Sequence, residues 1–129
     1  MYAFTLGLLI LASCCLGCSK KVAVDRSRIV GTYKATFEGN TEILILKSDR
    51  TYVLKRNSGQ KEQEIVSNSW NLVPYGDETK VAVDGFPDHK KKMGPGGTPS
   101  VTLLGVEENR GGLRLYFSYD LNLYYSKSD

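Results

Sequence analysis

Residues 32–56 read TYKATFEGNTEILILKSDRTYVLKR, and this stretch decides the fold class. Apolar and polar side chains alternate in its first segment, where one face carries Tyr33, Ala35 and Phe37. Alternation with a period of two is typical of a β-strand that is buried on one side. Turn-forming residues, Gly39-Asn40 and Ser48-Asp49-Arg50, separate this segment from two further apolar segments. The stretch therefore predicts three antiparallel strands joined by two hairpins.

The same alternation of strand and turn continues to the end of the chain. The predicted strands are residues 32–37, 42–47, 51–56, 62–72, 80–86, 100–107, 113–119 and 122–126. Short strands at this spacing predict an all-β domain. Consecutive hairpins close most simply as an eight-stranded up-and-down barrel, which leaves no exposed edge, and a β-sandwich with the same strand order is the alternative. No long segment has helical periodicity, although residues 19–29 are compatible with a short helical turn.

Residue parity also predicts which side chains fill the barrel. In the seventh strand the inward set is Leu113, Leu115, Phe117 and Tyr119, and the outward set is Arg114, Tyr116 and Ser118. Trp70 is predicted to lie in the core, and Gly105 indicates a bulge or bend in the sixth strand. An eight-stranded barrel is either filled by side chains or holds one small ligand. The many large apolar side chains of residues 30–129 favour a filled or nearly filled lumen.

The N-terminal region has the features of an export signal. Residues 2–12 (YAFTLGLLILA) are apolar and uncharged, and they are too few to span a bilayer, which takes about 20 residues. All three cysteines of the chain, Cys14, Cys15 and Cys18, follow directly. The tetrapeptide Leu11-Ala12-Ser13-Cys14 resembles a bacterial lipobox, which implies that Cys14 is acylated; Cys18 is the alternative. The predicted division is a lipoprotein signal peptide (1–13), a tether (14–29) and a barrel domain (30–129).

This division predicts a location in the bacterial cell envelope. Palmitate-type acyl chains on the cysteine would anchor the protein to the membrane. The residue after either candidate cysteine, Cys15 or Ser19, is not the Asp that commonly retains such lipoproteins at the inner membrane. The outer membrane is therefore favoured if the source is Gram-negative. The alternative is an ordinary cleaved signal that releases a secreted protein.

Composition argues against several classes of function. The chain has 17 basic and 14 acidic residues, a net charge of +3 that does not predict nucleic-acid binding. It has one histidine, His89, and no cysteine after Cys18. No nucleophile, base and acid set can be identified from these residues. We therefore expect no enzymatic activity, no metal site and no cofactor.

Two candidate binding features remain. His89, Lys90, Lys91 and Lys92 lie in a long glycine-rich loop, residues 87–99, where a cationic cluster beside flexible backbone suits an anion such as a phosphate. A solvent-exposed loop without a ligand is the alternative. Tyr116 and Tyr124 are predicted to face outward on neighbouring strands, where they form either a contact for a protein or sugar or a cross-strand packing pair.

Four short segments carry a resemblance to a known family. They are Gly31-Thr32-Tyr33, then Leu46-Lys47-Ser48-Asp49-Arg50-Thr51-Tyr52, then Ser69-Trp70-Asn71-Leu72, and finally Leu113-Arg114-Leu115-Tyr116-Phe117. Their order resembles small bacterial lipoproteins with a lipocalin-like β-barrel, which have a G-x-Y start, an L-x-x-D-G-T-Y hairpin and a G-x-W strand. The chain departs from this pattern at Arg50, where the family has Gly, and at Ser69. The Cys-x-x-Cys pair of the related copper-stress lipoproteins is also missing, so the resemblance does not imply metal or redox sensing.

The expected function follows from the anchor and the barrel together. We expect a non-catalytic binding module of the cell envelope for a small apolar ligand, an envelope component or a partner protein. The alternative is a protein inhibitor or immunity factor that blocks an envelope-acting hydrolase with loop 87–99.

The assignment of the anchor is tested by two matched cysteine variants. Cys14→Ser is expected to abolish palmitate labelling and to release the protein from the membrane fraction, because acyl chains hold it by about 0.8 kcal/mol for each buried CH₂ group. Cys18→Ser is expected to keep both the label and the membrane association. The reverse pattern would assign the anchor to Cys18, and an unlabelled wild type would indicate an ordinary cleaved signal.

Overall fold

A computed structural model describes residues 24–87 and 101–129. The described residues form one short helix and eight strands: α1 (Arg26–Ile29), β1 (Gly31–Phe37), β2 (Asn40–Leu46), β3 (Thr51–Ser58), β4 (Lys61–Tyr75), β5 (Glu78–Asp84), β6 (Val101–Asn109), β7 (Gly112–Ser118) and β8 (Leu123–Lys127). Consecutive strands pair antiparallel, and β1 also pairs with β8. The sheet is therefore a closed up-and-down barrel, which confirms the predicted fold and excludes the sandwich.

Strand β4 is longer than predicted and organises the barrel. It pairs with β3 up to Ser69 and with β5 from Trp70 onward, so its two halves pair with different strands. Pro74 and Tyr75, which lie outside the predicted strands, pair with Thr79 and Glu78. The offset between the two neighbours along β4 is the stagger that closing a sheet into a barrel requires.

The first hairpin turns one residue earlier than predicted. Phe37 pairs with Asn40, so the turn consists of Glu38 and Gly39 alone. Both residues have positive φ, 50° and 79°. Two-residue hairpins prefer this conformation because its twist matches that of the flanking strands.

One end of the barrel, here called the closed end, is covered by α1 and the β2–β3 turn, residues 47–50. Ile29 of α1 is fully buried, and its carbonyl accepts a hydrogen bond of 2.7 Å from Tyr33 Oη. Trp70, which is 2% exposed as predicted for the core, donates from Nε1 to the carbonyl of Lys47 at 2.9 Å. Helix α1 lies within the predicted tether, so that part of residues 14–29 packs against the barrel.

The residues that carry the family resemblance meet at this closed end. Tyr33 and Trp70 hold the cover in place through the hydrogen bonds above. Gly31 has a φ of 150°, and a Cβ there would lie 2.6 Å from Lys127 Cε and 2.7 Å from Asp129 Oδ1. The side-chain ends of Lys127 and Asp129 could move away from a Cβ, but the positive φ favours glycine, so this motif of the resemblance has a structural role here.

The filled half of the lumen lies next to the closed end. Its buried side chains form one cluster, which includes Tyr33, Leu44, Leu46, Tyr52, Leu54, Trp70, Val81, Val83, Leu104, Leu113 and Leu115. Leu113 and Leu115 are thus inward, as their parity predicted. Burial raises the pKa of Tyr52 to about 12, because a tyrosinate would be poorly solvated there.

Two parity predictions near the end of β7 are wrong. Tyr119 was predicted to face inward, but it is 54% exposed and stacks on Tyr116 with the ring centroids 4.7 Å apart. Ser118 was predicted to face outward, but it lines a cavity inside the barrel. The pairing between β7 and β8 shifts register between Tyr116 and Ser118. Such a bulge interrupts the alternation of side chains, which is why parity fails beyond it.

Gly105 was predicted to mark a bulge or a bend, and the structure shows no bulge there. Strand β6 pairs with both neighbours through Gly105 without a shift in register. A Cβ at this position would lie 2.6 Å from Tyr119 Cζ. The glycine therefore leaves room for the Tyr119 ring to lie across the outer surface of the sheet.

The β2–β3 turn yields a test of backbone strain. Arg50 has a φ of 69°, in the left-handed region that favours glycine. We expect Arg50→Gly to raise the free energy of unfolding by about 0.5–1 kcal/mol, because it removes the Cβ clash but adds entropy to the unfolded chain. Arg50→Ala keeps the Cβ and should give no gain. Urea denaturation of the two variants measures the difference, and equal stabilities would contradict the strain.

Candidate ligand-binding cavity at the open end

The opposite end of the barrel, here called the open end, contains a cavity of about 870 Å³. It lies where the hairpins after β1, β3 and β7 turn, and its lining residues are Thr36, Phe37, Glu38, Asn40, Glu42, Arg56, Phe86, Pro87, Thr102, Phe117, Ser118, Leu121 and Leu123. A volume of this size matches cavities that hold small molecules. The lumen was predicted to be filled or nearly filled; in this half Glu42, Arg56 and Thr102 line a cavity beside large apolar side chains.

Phenylalanine side chains form the apolar part of the cavity. Phe37 and Phe117 meet edge to face, with their ring centroids 5.0 Å apart. Both rings and Phe86 also contact Tyr125, at centroid distances of 5.6, 5.8 and 6.1 Å. Tyr125 is fully buried and belongs to the core cluster. These aromatic contacts fix the boundary between the filled half of the lumen and the cavity.

Glu42 supplies a buried carboxylate at the same boundary. Glu42 is only 1% exposed, and it pairs with Arg56 across strands β2 and β3. Glu42 Oε1 accepts hydrogen bonds from Arg56 Nε at 3.1 Å and from Nη2 at 2.6 Å. Glu42 Oε2 accepts a third from Tyr125 Oη at 2.7 Å. A buried charge needs such partners, and here it has donors on both of its oxygens.

Tyr125 acts as a permanent donor in this network. Burial raises the pKa of Tyr125 far above its ordinary value, and the neighbouring Glu42 carboxylate raises it further. The phenol therefore stays protonated over the physiological pH range. Ala35, the β1 partner of Glu42, is small and 8% exposed, and it does not fill the space through which Tyr125 reaches the carboxylate from β8.

Arg56 connects the buried network with the cavity. Its side chain is 40% exposed, in contrast to that of Glu42. A guanidinium has five N–H donors, and the contacts with Glu42 use only some of them. The cavity therefore combines an apolar wall with N–H donors that a ligand oxygen can reach.

The predicted outward tyrosines lie together, but away from the cavity. Tyr116 and Tyr124 are cross-strand partners with ring centroids 5.1 Å apart. The Arg114 guanidinium lies 4.4 Å from the Tyr124 ring centroid, and Tyr119 covers Tyr116, which is only 6% exposed. This arrangement fits the cross-strand packing alternative, and neither residue lines the cavity.

The other predicted site residues lie outside the described residues. They are the lipidation candidates Cys14 and Cys18 and the loop residues His89, Lys90, Lys91 and Lys92. Within residues 24–87 and 101–129, no three His, Cys, Asp or Glu side chains come together in a way that could hold a metal ion. None of the helical structure in the same part of the chain is long and apolar enough to cross a membrane.

Sequence reasoning missed Glu42 and Arg56, although parity contains a signal for both. Glu42 shares its parity with the buried Leu44 and Leu46. Arg56 likewise follows Tyr52 and Leu54 on the inner face of β3. Opposite charges on the inner faces of two neighbouring strands predict a buried cross-strand ion pair.

Comparison of the chain with protein-family models, with curated proteins and with solved structures finds no match in any of the three.

The hydrogen bond from Tyr125 to Glu42 is open to a direct test. We expect Tyr125→Phe to lower the free energy of unfolding by about 1–3 kcal/mol, because it leaves a buried carboxylate oxygen without this donor. Tyr124→Phe, the neighbouring tyrosine on the outer face, should change it by less than about 0.5 kcal/mol. Thermal and urea denaturation provide the measurement. Equal losses in the two variants would show that Glu42 does not depend on Tyr125.

Proposed function

We propose that this protein is a non-catalytic binding module of the bacterial cell envelope that takes a small, largely apolar ligand into its open-end cavity. The observation that carries the proposal is the cavity itself, which has the size of a small-molecule site. Its Phe37, Phe86 and Phe117 side chains give it an apolar wall, and Arg56 gives it polar contacts. Small-molecule sites commonly combine a predominantly apolar lining with a few polar groups that fix orientation.

The position of α1 is compatible with a membrane anchor. Helix α1 lies at the closed end of the barrel, opposite the cavity. Cys14 and Cys18 precede α1 in the sequence, so acyl chains on either cysteine would anchor the part of the chain that leads into this end.

The polar groups of the cavity favour binding over catalysis. Glu42 is held by Arg56 and Tyr125 on both oxygens, so it is poorly placed to abstract a proton from a ligand. Tyr125 remains protonated because burial raises its pKa. Groups that are paired in this way orient a ligand better than they transfer protons.

The proposal is tested with a substitution that fills the cavity. Thr102→Trp places a large ring on the inner face of β6, and we expect it to weaken binding of the uncharged dye N-phenylnaphthylamine by about tenfold or more. The matched control is Leu103→Trp, which adds the same side chain on the outer face of the same strand. Dye fluorescence titrations measure both variants. Equal binding by the two variants, or no binding by the wild type, would count against the cavity.

Native mass spectrometry of protein purified from its own host gives an independent answer. A co-purified lipid or other small molecule would support the cavity as the binding site. A co-purified polypeptide without such a ligand would favour the inhibitor or immunity factor instead.

A further inference from the structure

We propose that the ligand enters the open-end cavity sideways, through the seam between β1 and β8, so that this seam controls exchange of the ligand. This inference rests on the proposed binding function and assigns the part of the barrel wall that regulates it. It is carried by the place where the pairing between β1 and β8 ends and by the residues that line the cavity at that place.

The backbone ladder of the seam stops short of the open end. Among the described residues, β1 and β8 pair at Tyr33 with Lys127 and at Lys34 with Ser126. A continued antiparallel ladder would pair residues 35–37 with residues 123–125. Both segments lie in strands and pair with their other neighbours, β2 and β7, but they do not pair with each other. The two strands are therefore not joined by a ladder beside the cavity.

The β7–β8 hairpin has an irregular geometry next to this gap. Its register shifts between Tyr116 and Ser118, and Asn122, which directly precedes β8, has a φ of 52°. A bulge bends its strand and increases the local twist. This bend accounts for the loss of pairing between the first residues of β8 and the last residues of β1.

The cavity extends to the seam from the inside. Thr36 of β1 and Leu123 of β8 both line it. Thr36 lies on the outer face of β1, since it is exposed between the buried Ala35 and the half-buried Phe37. Leu123 has the same parity as the buried Tyr125 and therefore lies on the inner face of β8. An outer-face residue and an inner-face residue thus line one space, so the cavity reaches the outer surface between these strands.

Side-chain contacts bridge the gap where the ladder is missing. Tyr125 Oη of β8 donates a hydrogen bond of 2.7 Å to Glu42 Oε2 of β2, across β1. The rings of Phe37 and Tyr125 also meet edge to face, with their centroids 5.6 Å apart. Side chains can separate and return without breaking a backbone ladder, and local opening requires less free energy where fewer backbone hydrogen bonds break. The seam can therefore open beside the cavity while the other strand pairs stay intact.

The test is a cross-link that holds the seam together on its outer face. Thr36→Cys and Tyr124→Cys place two thiols at outward positions on either side of the gap, and a short bismaleimide joins them. We expect the cross-link to slow association of N-phenylnaphthylamine by about tenfold or more, because a segment that must move to admit a ligand sets the rate of binding. Stopped-flow fluorescence measures the rate before and after cross-linking.

The chain has three cysteines of its own, and they are removed so that the bismaleimide reacts at the engineered positions alone. Cys14→Ser, Cys15→Ser and Cys18→Ser are introduced into the full chain for this purpose. The same full chain before cross-linking is the reference for each rate.

The matched control is a cross-link across an intact ladder. Thr41 and Asn57 pair across β2 and β3 near the same end of the barrel. Cross-linking Thr41→Cys to Asn57→Cys should leave the association rate unchanged, because these strands are already joined by backbone hydrogen bonds.

Equilibrium binding separates an entrance from a blocked cavity. An entrance changes association and dissociation alike, so the dissociation constant of the dye should stay within about twofold after the seam is cross-linked. Weaker equilibrium binding with an unchanged dissociation rate would count against the entrance, because the cross-link would then act on the cavity itself.

A second variant tests the seam without a cross-link. Tyr125→Phe removes the hydrogen bond that crosses the gap, and we expect it to speed association of the dye by about threefold or more, because the seam then opens more easily. Tyr124→Phe, on the outer face of the same strand, should leave the rate unchanged. Circular dichroism confirms that each variant is folded. An unchanged rate in folded Tyr125→Phe would overturn the inference.

The outcomes distinguish this inference from the proposed function. If the cross-linked seam admits the dye as fast as the same protein before cross-linking, the lateral entrance is wrong and the binding function stands. If the wild type does not bind the dye, the proposed function itself fails.

Discussion

The buried carboxylate of Glu42 is the constraint on which the interior of this barrel depends. Within residues 24–87 and 101–129, three of its hydrogen bonds come from two other strands, from Arg56 on β3 and Tyr125 on β8. The network therefore joins β2 to β3 and, across β1, to the last strand, beside the β1–β8 seam that closes the barrel. Among the described residues, β1 and β8 also pair over fewer positions than β1 and β2 do. The side-chain hydrogen bonds near this seam help to hold the barrel closed where few backbone positions pair.

The same network divides the lumen into two halves with different physical character. On the closed-end side, Tyr33, Trp70 and the aliphatic side chains between them exclude water, and stability comes mainly from apolar burial. On the other side, a cavity remains because charged and small polar residues stand at inner positions. Filling those positions with leucine would bury more apolar surface. Retaining an ion pair there gives up some stability, which is the pattern expected where a binding site is built into a core.

The sequence predicted the barrel because alternation, short strands and turn residues agree over the whole domain. It predicted Trp70, Leu113 and Leu115 correctly, since each lies in a part of its strand that keeps one register with its partner. It failed at Tyr119 because a bulge in β7 interrupts the alternation, and a bulge leaves little trace in one sequence. The cavity was missed for a different reason. The sequence shows which inner side chains are polar, but whether the inner side chains fill the lumen depends on the stagger between strands. Glu42 and Arg56 could have been paired from parity alone.

The two ends of the barrel differ in what their residues do. At the closed end, Gly31 adopts a positive φ, and Tyr33 and Trp70 donate hydrogen bonds to carbonyl groups, so these residues serve the fold. At the open end, the Arg56 side chain is 40% exposed, and Phe37, Phe86 and Phe117 line the cavity. Short motifs at the closed end therefore identify an architecture, whereas function depends on residues outside those motifs. The proposed binding function therefore depends on the open end, where a partly exposed guanidinium lies beside an aromatic wall.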